Sequence, residues 1–203
     1  MNVGILDYHA GNLFSISKIV KDLGYKFSII SNAKDIKSYD KFIMPGVGSF
    51  KKAMEVLNSN NFTDEIKDEV IEKKKFFLGI CLGMQLMFKK SSEDGLSNGL
   101  GFFEQEVLNL KDLGCNLSLP HIGWNNVVIL KEHAMMKNIS QKADFYFANN
   151  FGVSSLNENV ISITKYEIDF VSAIAKDNLW GVQFHPEKSS ISGKKLIENF
   201  LKQ

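Results

Sequence analysis

Arginine is absent from this sequence, in which all 24 basic residues are lysines. Without arginine the chain has no rigid guanidinium fork, the group that binds phosphate or guanine through paired hydrogen bonds. The net charge is also small, at +1 from 24 basic and 23 acidic residues. No strong field would therefore draw the chain to nucleic acid or to an anionic membrane. A phosphate site built from this chain alone is not expected either.

Cysteine is scarce as well. Cys81 and Cys115 do not make a disulfide framework, and no Cys-x-x-Cys or His-Glu-x-x-His spacing indicates a metal site. The N-terminus has no pattern typical of a secretory signal, and no apolar run approaches the ~20 residues of a membrane span. These features predict a protein of the reducing cytoplasm that needs no metal or other cofactor.

The length and the order of the patterns predict an α/β fold. At 203 residues and 44% hydrophobic, the chain can bury a substantial core as one domain, residues 1–203. Strands alternate with helices through the first half, which predicts a mostly parallel sheet with right-handed crossovers. The predicted strands there are 2–6, 26–30, 41–44 and 76–80, and the predicted helices end near 23, begin near 50, cover 61–73 and follow Cys81 to about 88.

The second half is richer in short β segments. These segments predict antiparallel additions to the sheet, and the last two are joined by a turn at Asp177 and Asn178. The segments are 106–110, 126–130, 145–147, 160–165, 171–176 and 179–183, followed by a helix over about 192–201.

The stretch around Cys81 has the pattern of a nucleophile elbow. Gly79-Ile80-Cys81-Leu82-Gly83 matches G-x-S-x-G with cysteine in place of serine. Glycines suit so tight a turn, which would project the thiol from the carboxyl edge of the sheet and place it at a helix N-terminus, where thiolate is favoured. The alternative is a small buried hydrophobe, as most free cysteines are. The two flanking glycines favour a nucleophile.

A candidate base and a candidate carboxylate follow the last predicted strand. They are His185 and Glu187, separated by Pro186. Residues two apart in an extended segment point to the same side, and Pro186 keeps His185 extended, so Glu187 is expected to orient the imidazole. Most single histidines are structural, but this carboxylate partner favours a Cys81, His185 and Glu187 triad assembled across the sheet.

A glycine-rich loop precedes the second helix. Backbone N–H groups of Gly46, Val47, Gly48 and Leu82 are the candidates for stabilising an oxyanion beside Cys81. A phosphate cradle is the alternative interpretation. However, neither G-x-G-x-x-G nor G-x-x-x-x-G-K-[ST] occurs in the sequence, so the oxyanion loop is favoured.

These motifs together resemble a known family. The segments 79–85 and 181–187 resemble those of the class I glutamine amidotransferases, in which Cys, His and Glu release ammonia from glutamine. Segments 7–13, 45–48, 120–125 and 185–189 are similar to those of the glutaminase subunits of imidazole glycerol phosphate synthase, in histidine biosynthesis. The resemblance covers essentially the whole chain, and it implies a flavodoxin-like α/β fold.

The resemblance also implies a substrate and a partner. Glutamine would be bound with help from Gln85, and the ammonia would pass to a (β/α)8-barrel cyclase subunit in a heterodimer. The candidate contacts with that partner are Asn12, Trp124 and Lys188. The barrel subunit, rather than this arginine-free chain, would bind the phosphorylated acceptor.

The sequence departs from the family pattern in two places. His9 stands where the family usually has glycine, and Asn149-Asn150-Phe151 replaces His-Ser-Tyr near the bound glutamine. The second departure leaves open a paralogous glutaminase that supplies ammonia through a cyclase-like partner to another acceptor, such as a sugar. A non-catalytic binding subunit and a cysteine peptidase or other thiol hydrolase are further alternatives.

Overall fold

The computed structural model describes residues 1–154 and 157–203. Within them the strands are β1 (Asn2–Leu6), β2 (Lys26–Ile30), β3 (Lys41–Gly46), β4 (Phe76–Cys81), β5 (Phe88–Ser91), β6 (Ser97–Asn98), β7 (Phe103–Asn109), β8 (His121–Asn126), β9 (Val128–Ile129), β10 (Asp144–Asn149), β11 (Phe151–Gly152), β12 (Val160–Tyr166), β13 (Ile168–Lys176) and β14 (Leu179–Val182). The α-helices are α1 (Leu13–Asp22), α2 (Phe50–Ser59), α3 (Phe62–Lys67), α4 (Leu82–Leu86) and α5 (Ser190–Leu201).

The main sheet has eight strands in the order β2-β1-β3-β4-β14-β13-β12-β9. The first five of these run parallel, and β13, β12 and β9 are antiparallel additions. Strand β3 is buried along its whole length, as expected of a central parallel strand covered on both faces. The predicted α/β class, with a mostly parallel sheet and antiparallel additions from the second half, is confirmed.

Helices cover both faces of this sheet. One hydrophobic layer includes Phe50 of α2 and Phe62 of α3, and the other includes Ile16 of α1 and Phe200 of α5. Two smaller sheets, β10-β8 and β11-β7-β5-β6, extend the domain beside the main one. No helix in the described part of the chain has both the length and the apolar character needed to cross a bilayer.

The position of β14 determines where the site forms. This strand is the last in the chain, yet it lies in the middle of the sheet, parallel to β4, with Val182 paired with Ile80. The carboxyl ends of neighbouring parallel strands meet at one edge of a sheet. The residues that follow Val182 therefore emerge beside Cys81.

Several predicted elements differ from those of the structure, and strands β5, β6 and β11 were not predicted. The helix after Cys81 ends at Leu86 instead of continuing to about 88, because Phe88 begins strand β5, which pairs with β7 and packs its ring 5.5 Å from that of Phe103. Strand β8 was missed, since the prediction of 126–130 included only its last residue and β9. The predicted charged helix over 61–73 is α3 followed by a π-helical turn over Asp68–Glu72.

Candidate active site

Cys81 lies at a sharp turn between β4 and α4. Its backbone has φ 53° and ψ −110°, a conformation that L-residues rarely adopt and that costs strain. A Cβ on Gly83 would lie 1.8 Å from the carbonyl oxygen of Met44, and one on Gly79 would lie 2.6 Å from the carbonyl oxygen of Gly83. Only glycine fits at these two positions, which explains the G-x-C-x-G pattern.

His185 lies against the Cys81 sulfur from the neighbouring strand. Its ring lines the same cavity as Cys81, and its Nδ1 lies 2.8 Å from Oε1 of Glu187. Burial alone would lower the pKa of His185, but the charge and hydrogen bond of Cys81, together with Glu187, outweigh it and raise this pKa to about 10. This environment favours the protonated, imidazolium form of His185.

The predicted reason for the contact between Glu187 and His185 was wrong, although the contact itself forms. His185 is extended, with φ −96° and ψ 94°, but Pro186–Lys188 form a turn of 3-10 helix rather than an extended segment. Pro186 suits the first position of such a turn because it needs no N–H donor there. The turn, and not strand alternation, brings the carboxylate back to the imidazole.

A cavity of about 410 Å³ opens over the sulfur. Its lining combines Cys81 and His185 with the loop after β3 and with the segment that departs from the family pattern. The lining residues are Val47, Gly48, Cys81, Leu82, Gln85, Glu93, Ala148, Asn149, Asn150, Phe151, His185 and Lys188.

The predicted oxyanion residues surround Cys81. Val47, Gly48 and Leu82 line the cavity, and Gly46 is the strand residue paired with Cys81. Gly48 has φ 107°, a left-handed conformation that favours glycine. A Cβ on Gly46 would lie 2.2 Å from the Tyr8 hydroxyl, so this position also requires glycine. The arrangement can place backbone N–H groups near the oxygen of a carbonyl group whose carbon atom is attacked by the sulfur.

The side chain of Gln85 is buried in a hydrogen-bonded row that sequence analysis did not find. Its Nε2 donates to the carbonyl oxygen of Phe151 and to Oε1 of Gln183, each at 3.0 Å. Nε2 of Gln183 in turn donates to the Cys81 sulfur at 3.7 Å. Gln183 directly follows β14 and precedes His185 by two residues. This spacing is the sequence feature that could have indicated a place for Gln183 beside Cys81.

Asn149 joins the same row from the other side. Its Nδ2 donates to the Phe151 carbonyl oxygen at 3.0 Å. Its amide also lies near enough to the buried His121 ring to favour the protonated form, although burial is the larger effect and lowers the pKa of His121. The Asn149 and Phe151 departures from the family pattern therefore lie at the wall of the cavity.

One further polar residue of the cavity was missed. Glu93 accepts a hydrogen bond from the backbone N–H of Phe50 at 2.8 Å, and burial raises the pKa of its carboxyl group. Glu93 lies in the turn after β5, and no local pattern marks it. With Lys188 it gives the cavity one acidic and one basic side chain.

The three predicted partner contacts differ in exposure. Trp124 is 53% exposed on β8. The Lys188 ammonium lies 5.2 Å from the centre of the Tyr146 ring, which packs edge-on against Trp124. Asn12 caps α1, accepting from the Ser15 N–H and donating to the Ser15 hydroxyl. Trp124 and Lys188 thus share one surface beside the cavity, while the Asn12 side chain is used within its own helix.

A protein-family model described as glutamine amidotransferase class-I matches residues 4–203. Imidazole glycerol phosphate synthase subunit HisH 1 from Campylobacter jejuni (strain RM1221) is 43% identical over 200 residues, covering 98% of this chain and 99% of that protein. Subunit HisH of the same synthase from Caldanaerobacter subterraneus subsp. tengcongensis is 42% identical over 199 residues, covering 98% and 96%.

Solved structures have the same fold at low identity. PurLQS from Thermotoga maritima gives a TM-score of 0.78 at 17% identity, covering 99% of this chain and 97% of that one. A structure described as a glutamine amidotransferase gives 0.76 at 18% identity, covering 98% and 97%.

Proposed function

Because this chain belongs to the class I glutamine amidotransferase family, we propose that it hydrolyses glutamine to glutamate and ammonia, as the glutaminase subunit of imidazole glycerol phosphate synthase. The observation that carries the proposal is the buried row of Cys81, His185 and Glu187 below a cavity of about 410 Å³. A non-catalytic binding subunit would have no need for this row.

In the proposed reaction His185 takes the Cys81 proton, and the thiolate attacks the side-chain carbonyl carbon of glutamine. The tetrahedral oxyanion is held by backbone N–H groups of Leu82 and of the loop at Gly46, Val47 and Gly48. His185 then gives its proton to the departing ammonia, and water hydrolyses the thioester to glutamate. Glu187 orients the imidazole and stabilises its charged form.

The polar groups of the cavity suit free glutamine. This substrate carries an α-ammonium, an α-carboxylate and a side-chain amide. Glu93 can pair with the ammonium and Lys188 with the carboxylate, because both line the cavity. Both N–H groups of Gln85 are already used, so its oxygen is the group left to accept a hydrogen bond from the substrate. A peptidase cavity would not need this pair of opposite charges.

The proposed partner is a (β/α)8-barrel cyclase subunit that receives the ammonia in a heterodimer. The relatives named as subunits of imidazole glycerol phosphate synthase support this role, since two of them align over 98% of this chain at 43% and 42% identity. Trp124 and Lys188, beside the cavity, are the proposed contacts with this partner. Asn12 is proposed as a third contact on the basis of the sequence resemblance. Ile122, 61% exposed on the same strand as Trp124, adds apolar surface there.

An ammonia-release assay tests the proposal. Glutamine should be turned over by the chain together with its barrel partner and that partner's ligand, and Cys81→Ala should abolish the activity. Equal ammonia release by the wild type and Cys81→Ala would support the binding-subunit alternative. Turnover of peptides or esters, with no activity on glutamine, would support a different thiol hydrolase.

A paralogous glutaminase remains the second candidate. Asn149 and Asn150 line the cavity in place of the family's usual residues, and relatives from Campylobacter jejuni and Methanococcus maripaludis are named HisH 1 and HisH 2. In this alternative a cyclase-like partner passes ammonia to another acceptor, such as a sugar. Gene deletion separates the two, because histidine auxotrophy supports the first and loss of a modified sugar without auxotrophy supports the second.

A further inference from the structure

The orientation of the buried amides near Cys81 is determined by one backbone group. The carbonyl oxygen of Phe151 can only accept hydrogen bonds, and it receives one from Gln85 and one from Asn149, each at 3.0 Å. If either amide were turned over, its oxygen would face the carbonyl oxygen and the contact would be repulsive. The donor ends of both side chains must therefore point to Phe151.

The orientation of Gln85 determines that of Gln183. Nε2 of Gln85 donates one hydrogen to the Phe151 carbonyl oxygen and the other to Oε1 of Gln183, at 3.0 Å. The Gln183 amide is then fixed with its oxygen toward Gln85 and its nitrogen toward the Cys81 sulfur, at 3.7 Å. Gln183 is 1% exposed, so water does not compete for these groups. The sulfur consequently faces an N–H donor and not an amide oxygen.

We propose that Gln183 is a further catalytic residue of the glutaminase, one that donates a hydrogen bond from Nε2 to the Cys81 sulfur and stabilises the thiolate. Gln85, Asn149 and the Phe151 carbonyl are positioning groups that fix the direction of this donor. A hydrogen bond to the charged form of a group favours that form, and it does so most where solvent is excluded. The contribution to turnover rests on the proposed function, whereas the hydrogen bond to the sulfur can be tested without glutamine.

Gln183 and His185 act differently on the sulfur. His185 lines the same cavity and exchanges a proton with the sulfur in the proposed reaction, while Gln183 donates a hydrogen bond and keeps its own protons throughout. The other titratable groups near the sulfur are Glu93 and Lys188 in the cavity lining, Glu187 beside His185 and the buried Tyr8, whose pKa is raised by burial and by the charge of Cys81. None of them is changed in the Gln183 variants, so an altered thiolate population reports on Gln183 itself.

The experiment is the pH profile of Cys81 alkylation by iodoacetamide. Gln183→Met removes the donor without adding charge, and Gln183→Glu replaces it with an isosteric acceptor. Relative to the wild type, the midpoint of the profile should rise by about one unit in Gln183→Met, a tenfold loss of thiolate below the midpoint, and further in Gln183→Glu. Gln85→Met should give part of this rise, because it releases the Gln183 amide to rotate.

The plateau rate at high pH reports access to the sulfur and serves as an internal reference, and mass spectrometry separates Cys81 from the buried Cys115. Gln105→Glu is the matched control, since this half-buried glutamine of β7 does not line the cavity and its side chain has no hydrogen bond to another described residue. Its profile should coincide with that of the wild type.

Midpoints in both Gln183 variants that coincide with the wild-type midpoint would overturn the proposal. Should Gln183→Glu fail to fold, judged by near-UV circular dichroism, Gln183→Met still decides the question. If the midpoints shift but the wild type releases no more ammonia than Cys81→Ala, the hydrogen bond to the sulfur is supported and the glutaminase function is contradicted. Shifted midpoints with a fall in kcat at unchanged KM for glutamine are the expected result.

Discussion

Oε1 of Glu187 lies 2.8 Å from Nδ1 of His185, and the two side chains are only 2% and 4% exposed. An ion pair so well shielded from water can fix both the position and the protonation state of the imidazole. Because Nδ1 is engaged by Glu187, it is Nε2 of the ring that faces the Cys81 sulfur.

Glu187→Gln should lower kcat for glutamine by a factor of about 10²–10⁴, because the neutral amide neither stabilises the imidazolium nor enforces the tautomer. The pKa of His185 should fall from about 10, since a carboxylate that raises it is lost. Ammonia release and NMR titration of the imidazole measure the two effects. Glu55→Gln on the exposed face of α2 is the control and should change neither.

Gly83→Ala should destabilise the protein by about 2–4 kcal/mol or prevent folding, because the new Cβ would lie 1.8 Å from the Met44 carbonyl oxygen. The measurement is urea unfolding. Gly95→Ala is the matched control, with nothing within 4 Å of the added Cβ and only the strain of φ +91°. Its cost should be about 1 kcal/mol, and equal losses in the two variants would contradict the close approach.

His9→Gly should stabilise the protein by about 0.5–1 kcal/mol, because His9 has φ 62° and an L-residue is strained there. The hydrogen bond from its backbone N–H to Asp7 does not depend on the side chain. Thermal and urea unfolding measure the effect. Lys18→Gly, in the middle of α1, should instead destabilise by about 1 kcal/mol. Loss of stability in His9→Gly would show that the exposed imidazole makes a favourable contact.

Lys41 should make the free energy of unfolding rise with pH between about 8 and 10.5. Burial lowers the pKa of its ammonium from 10.5 to about 8, although Asp40 opposes the shift. In that interval the unfolded chain binds more protons than the folded one, so stability increases as the pH rises, by about 1–3 kcal/mol in total. Below pH 8 both states are protonated and this slope disappears.

Lys41→Met should remove that slope. The variant also loses the hydrogen bonds that the Lys41 ammonium donates to the carbonyl oxygens of Phe200 and Leu201. This loss lowers the free energy of unfolding of the variant by an amount that does not depend on pH. Urea unfolding at several pH values measures the slope. Lys51→Met at an exposed position of α2 should retain the wild-type slope, and an unchanged slope in Lys41→Met would contradict the assignment.

Features that depend on local pattern could be predicted from the sequence. The elbow at Cys81 was predictable because its two glycines are required by contacts with β3 and within the turn itself. The parallel sheet of the first half was predictable because strands and helices alternate regularly. The family of the chain followed from motifs spread along the sequence, first of all those at 79–85 and 181–187.

Features that depend on pairing between distant segments could not be predicted in the same way. Strand β8 carries Gly123 and Trp124 in a mixed polar pattern, and its hydrogen bonds come from β10. Gln85 meets Phe151 and Gln183 across 66 and 98 residues of chain. No periodicity in the sequence around these residues indicates contacts between segments so far apart.

The central place of β14 has a consequence for synthesis on the ribosome. Until residues 179–182 have emerged, β4 and β13 have no strand between them, because β14 pairs with both. A nascent chain that ends before β14 therefore exposes two open strand edges, which invite pairing with other chains. The thiol at position 81 also remains without its base until residue 185 has emerged, so the reactive pair cannot assemble before β14 has taken its place between β4 and β13.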